Sequence, residues 1–128
     1  MKKEKIQLEY IIKASTKSLY TSISTPEGLS EWFADEVNVE QGSQEFEFVW
    51  NGESQKARVI LQKALSFMRF QWEDEDEAEY FEFRIVIDPL TNDIVFVITD
   101  FVEPGEKDDA EQLWNLQVET LKKSLGAN

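Results

Sequence analysis

The sequence predicts an α+β fold in which a long antiparallel sheet is closed by one C-terminal helix. Two observations carry this. Six consecutive segments between Glu36 and Val102 read as strands with no helix among them, and after Pro104-Gly105 the chain switches to a helical period. Strands that follow one another without intervening helices exclude a parallel α/β sheet, whose crossovers need helices.

The elements follow in order. From Lys5 to Lys13, Ile6, Leu8, Tyr10 and Ile12 alternate with mostly polar neighbours, the period-two pattern of a strand with one buried face. Ser15 is placed to cap a short helix through Leu19, Tyr20 and Ile23, and Thr25-Pro26-Glu27 starts a second that ends near Trp32-Phe33. The meander is then predicted as Glu36–Gln41, Gln44–Trp50, Glu53–Lys63, Phe67–Glu73, Ala78–Asp88 and Ile94–Val102. Gln41-Gly42-Ser43 and Asn51-Gly52 read as tight hairpin turns, the second suited to type I′, and Asp88 to Asp93 reads as a looser loop. In the last helix Ala110, Trp114, Gln117, Val118, Leu121 and Leu125 share a face, with Leu113 on its flank. Asp108 and Glu111 have the spacing of a capping box, Lys122 and Lys123 suit the negative end of the helix dipole, and Gly126 ends it.

Composition narrows the function. A chain of 128 residues, 41% of them hydrophobic, can bury roughly two thirds of its unfolded surface and needs no staple. No repeat or linker interrupts it, so residues 1–128 are expected to form one domain. Acidic residues number 26 against 13 basic ones, and the net charge of −13 repels phosphate backbones and anionic membranes. Nucleic acid is therefore not an expected partner. Without cysteine there are no disulfides, thiolate nucleophiles or cysteine metal sites. The alternating segment after Met1 to Lys5 is no apolar signal core, and no run of about 18 apolar residues occurs, which suits a cytoplasmic protein without membrane insertion.

The segment from Leu19 to Phe33, LYTSISTPEGLSEWF, adds a resemblance. An apolar helix runs into a Thr-Pro-Glu turn at Thr25 to Glu27, then into Leu29-x-x-Trp32-Phe33, with a turn glycine at Gly42. This resembles START-like (SRPBCC) proteins of the branch homologous to the C-terminal domain of the heat-shock ATPase activator. The element order is likewise that of the helix-grip fold, a curved sheet wrapped around the last helix. The resemblance implies a space between sheet and helix that relatives use for lipids, sterols and other apolar molecules, or a surface for protein partners. Two features depart from the family pattern: Asn51-Gly52 stands where a glycine-richer hairpin is usual, and no glycine precedes Trp114.

Alternation puts Phe46, Phe48 and Trp50 on one face of their strand, Met68, Phe70 and Trp72 on one face of theirs, and Phe81, Phe83, Ile85 and Ile87 on a third. Such sets read either as a filled core or as the lining of a cavity, and tryptophans, with a polar N–H, suit a cavity wall. The residues expected to line it are Trp32, Phe33, Phe48, Trp50, Met68, Phe70, Trp72, Phe83, Trp114 and Val118. Trp32 and Phe33 read as a plug over one end of the grip or as its gate. The acidic run Glu73 to Glu79 reads as a solvated turn, with a basic protein partner as its functional alternative.

Catalytic chemistry is sparse. Without histidine or cysteine there is no Ser-His-Asp arrangement and no zinc site, so neither a metal nor a cofactor is expected. Glu45 and Glu47 alternate outward, and Arg58, Arg69 and Arg84 are expected opposite such acids in cross-strand pairs. The sequence thus points to a non-enzymatic protein that holds a small hydrophobic or amphipathic ligand between sheet and helix. A protein-partner module of the co-chaperone kind is the alternative.

Overall fold

The computed structural model describes residues 3–73 and 79–127. Most of the acidic run, Asp74 to Ala78, lies outside the described residues, as does the start of the strand expected at Ala78. The elements are β1 (Glu4–Ile11), α1 (Thr16–Ser24), α2 (Pro26–Ser30), β2 (Glu36–Val39), β3 (Glu45–Trp50), β4 (Glu53–Lys63), β5 (Phe67–Trp72), β6 (Phe81–Ile87), β7 (Ile94–Val102) and α3 (Lys107–Leu125). The strands form one antiparallel sheet in the order β1-β7-β6-β5-β4-β3-β2. This curved seven-stranded sheet with its C-terminal helix is the expected α+β arrangement.

Local chemistry sets the punctuation. The Ser15 hydroxyl accepts the Ser18 N–H at 3.0 Å and caps α1, and the Thr25 hydroxyl accepts the Gly28 N–H at 2.9 Å and caps α2. Thr25 also closes α1 through its own N–H to the Thr21 carbonyl, so one residue ends one helix and begins the next. The two axes meet so closely that a Cβ on Gly28 would stand 2.2 Å from the Thr21 carbonyl oxygen. Asn51 and Gly52 have φ of 52° and 81°, the two positive values a type I′ turn requires.

The entry to α3 differs from expectation. The helix starts at Lys107, so Glu106 holds the cap position, without a side-chain hydrogen bond, and Asp108 falls inside the first turn. There Asp108 and Asp109 favour the helix dipole instead of forming a capping box. At the other end Gly126, with φ 66°, lets the Ala127 N–H return to the Lys122 carbonyl at 2.8 Å.

One face of the sheet carries the core. Phe48, Phe70, Phe81, Phe83, Phe96 and Ile98 meet Leu19, Ile23 and Leu29 from the short helices and Val118 and Leu121 from α3, all of them almost fully buried. On the opposite face the register sets Arg58 across from Glu45 as expected, and the other two arginines share a different acid. Register sets Arg69 across from Glu82, and Arg84 lies two residues along the same face. The Arg69 guanidinium reaches Glu82 Oε2 and Arg84 Nε reaches Oε1, each at 2.8 Å, while Glu45 instead has Lys56 at 3.9 Å. Only 5% of Glu82 is exposed. Burial works against its ionisation, but hydrogen bonds from Arg84 and Arg69 outweigh that, and its pKa falls below the ordinary carboxylate value.

Candidate functional site

The inward face brings several tryptophans to one end of the sheet. Trp50 and Trp72 close β3 and β5, and their ring centroids lie 6.1 Å apart. Phe81, which opens β6, meets Trp72 at 4.8 Å. From the opposite wall α3 offers Ala110, Leu113, Trp114 and Gln117, spaced so that three and four residues separate neighbours on one face. Between these walls lies an open cleft of 340 Å³, with Phe33 at its base and Asp100 of β7 at its side. That volume is at the small end of the range for small-molecule sites, about 300–1,000 Å³.

Polar groups fix the aromatic walls. The Trp114 indole N–H donates to Asp100 Oδ2 at 3.1 Å, and Asp100 Oδ1 accepts the Phe101 N–H at 2.8 Å. The carbonyl of Phe33 accepts two hydrogen bonds, from the Trp50 indole at 2.8 Å and from Gln117 Nε2 at 3.0 Å. This carbonyl therefore ties β3 to α3 through the segment after α2. Trp72 differs: its indole N–H has no hydrogen-bond partner among the described residues.

A second, more polar cleft of 470 Å³ lies on the other side of that knot, between residues 30–35 and α3, and shares Phe33, Trp50 and Gln117 with the first. Phe33 separates them. Its ring packs against Phe48, Phe81, Phe83 and Trp114 with centroids 5.1–5.7 Å away, filling the space between sheet and helix.

The ten residues expected to line a cavity divide accordingly. Phe33, Trp50, Trp72 and Trp114 border the apolar cleft. Phe48, Met68, Phe70, Phe83 and Val118 are buried in the packed core. Trp32 packs on Phe83 and Phe96, donates its indole N–H to the Ser22 carbonyl at 2.9 Å, and touches only the second cleft. Sequence reasoning passed over Asp100, although the signal was available: in β7 it holds the inward parity of Phe96 and Ile98. Among the described residues no group of acidic side chains is arranged to hold a metal ion, and no helix is long and apolar enough to cross a membrane.

The model of the START-like superfamily domain matches residues 1–127. The chain belongs to the START-like superfamily. Solved structures agree on the fold of this START-like chain. The Aha1 dimer of Colwellia psychrerythraea superposes with a TM-score of 0.77 at 19% identity, covering 95% of this chain and 96% of that one. A Bacillus halodurans protein gives 0.74 at 17% identity over 98% and 99% of the two chains, and a Mesorhizobium loti protein 0.74 at 14% over 94% and 95%. None of the curated proteins matches the chain. START-like folds typically bind hydrophobic ligands or protein partners and are generally not enzymes.

Proposed function

We propose that residues 1–128 form one START-like domain that binds a small, largely apolar molecule in the cleft between the sheet and α3, without catalysis. The observation that supports this is a contrast in packing. Phe48, Phe70 and Phe83 leave no room between sheet and helix, yet apolar surface stays open a few ångströms away, where Trp50, Trp72, Phe81 and Leu113 face one another. Leu113 is 59% exposed there. Burying such surface under a ligand contributes roughly 25 cal/mol per Å² of apolar area.

Catalysis finds little support in the same cleft. Among the described residues the lining carboxylate is Asp100, which accepts hydrogen bonds from Trp114 and from the Phe101 N–H, an arrangement that positions walls more than it activates a nucleophile.

Organic extraction of the purified protein, together with thermal shifts against a panel of small apolar molecules, tests the reading. A co-purified molecule or a saturable rise in Tm is expected. If no compound raises Tm and the extract is empty, the ligand reading is wrong.

A partner-binding reading has its own support. Leu116, away from the cleft on α3, is 67% exposed, and the Colwellia relative is a dimer. Light scattering of the native protein decides it: a monomer at all concentrations removes self-association.

A further inference from the structure

We infer that β1 is a pairing edge for a second copy of this chain, whose own β1 adds antiparallel across a two-fold axis and joins the two sheets. This rests on the self-association reading above, to which it gives a defined face, and is independent of the ligand reading. Two strands, β1 and β2, end the sheet, each hydrogen-bonded to one neighbouring strand among the described residues. β2 has four residues, whereas β1 has eight. An edge strand of that length presents a row of unused N–H and C=O groups to another strand.

Which groups point outward follows from the pairing with β7. The Ile12 N–H donates to the Ile94 carbonyl at 2.9 Å, and the register continues with Ile11 facing Val95 and Tyr10 facing Phe96. Hydrogen-bonded and non-hydrogen-bonded positions alternate along an antiparallel pair. Tyr10, Leu8 and Ile6 therefore direct their backbone groups to β7, while Lys5, Gln7 and Glu9 aim theirs at the open edge. The side chains of these three are exposed, on the face opposite the buried Ile6. Lys5 and Glu9 stand about 13 Å apart along the strand, too far to meet each other. Neither has an ion pair among the described residues.

A two-fold axis through Gln7 satisfies both the backbone and the charges. It sets Lys5 opposite the partner's Glu9, Glu9 opposite the partner's Lys5, and Gln7 opposite the partner's Gln7. All of these are positions whose backbone groups face outward, so each pair exchanges hydrogen bonds. On the other face Ile6 meets the partner's Leu8. Sliding the partner by two residues breaks both contacts between Lys5 and Glu9. Sliding it by four sets Lys5 on the partner's Lys5 or Glu9 on the partner's Glu9, which is unfavourable. The net charge of −13 opposes any association of two copies, but at about 0.15 M salt it is screened beyond about 8 Å, whereas the two charge pairs lie in contact.

Sedimentation equilibrium from micromolar to millimolar protein, in about 0.15 M salt, tests this through a charge swap. The native chain should dimerise. Lys5→Glu or Glu9→Lys sets like charges across the edge twice over and should weaken the dimer roughly ten-fold or more. The double variant, with the two charges exchanged, should restore it. Amide exchange at Lys5, Gln7 and Glu9 should also slow as the native protein is concentrated, while the Ile6 and Leu8 amides, already bonded to β7, stay slow throughout. A native dimer that both single variants retain, or that the double variant does not recover, has its interface elsewhere and overturns this inference alone. A monomer at every concentration overturns it together with the self-association reading, while the ligand reading stands. Lys5 and Glu9 are exposed, and the amide-exchange series on the native chain decides the matter even where a variant does not fold.

Discussion

The ring of Phe33 lies flat on the indole of Trp114, with centroids 5.7 Å apart and planes 9° from parallel. Phe33 thus acts as a wedge between α3 and the sheet, and the same residue's carbonyl anchors Trp50 and Gln117. Phe33→Ala should remove the wedge while keeping the carbonyl. The expected loss is about 3–5 kcal/mol in urea denaturation. Because Phe33 is shared by both clefts, the variant should also accept bulkier apolar molecules than the native protein. A loss below about 1 kcal/mol would show that neighbouring rings close the gap unaided.

Glu82 yields a prediction with a definite direction in pH. Its pKa in the fold lies below the unfolded value, because the hydrogen bonds from Arg84 and Arg69 together outweigh burial. Ionised Glu82 therefore favours folding. The contribution is complete above the unfolded pKa and disappears as pH falls through the folded one. Glu82→Gln should lower stability at neutral pH by about 1–3 kcal/mol, since both arginines lose a charged acceptor. Denaturation curves across the acid range should then lie closer together for the two proteins as pH falls. Parallel curves at every pH would mean that Glu82 does not titrate with folding.

Much of this was legible in the sequence, for reasons that particular residues make plain. Alternation sees only which side of a strand a residue takes, and that sufficed to place Phe46, Phe48, Phe81 and Phe83 inward. It does not see which inward residues are covered by another element. Trp50 and Trp72 end up beside a cleft because they stand at strand ends, whereas Phe48 and Phe70, two residues earlier on the same faces, are buried. Register was equally hidden. A shift between Val59 and Leu61 alters the pairing of β4 with β5, and the Arg69–Glu82 contact depends on the pairing of β5 with β6. The Asp108–Glu111 spacing misled because a capping box needs its first residue at the cap, and the helix begins one residue before Asp108.

Gly28 is fixed by the contact between the two short helices. A Cβ there would meet the Thr21 carbonyl oxygen at 2.2 Å and the Ser22 Cα at 2.7 Å, both backbone atoms. Gly28→Ala should therefore push α2 away from α1, at roughly 1–3 kcal/mol or more. The Ser22 carbonyl accepts the Trp32 indole N–H, so that proton's NMR signal should move too. An unshifted signal with unchanged Tm would refute the close approach.

Trp32 and Trp72 should separate stability from binding. Trp32 is 5% exposed, packs on Phe83 and Phe96, and has its N–H satisfied inside the protein. Trp72 is half-buried at the mouth of the apolar cleft. Removing Trp32 leaves a cavity with no solvent to fill it, and Trp32→Ala should lose about 3–5 kcal/mol. In Trp72→Ala part of the ring was already in water, so the loss should be smaller, on the order of 1–2 kcal/mol. Ligand affinity should respond in the opposite order, since only Trp72 contributes a face to the cleft. Measured side by side, urea midpoints and titrations with a small apolar probe such as phenylbutanol give a crossed pattern if the cleft is the site. If affinity instead follows stability through both variants, the cleft has no role of its own in binding.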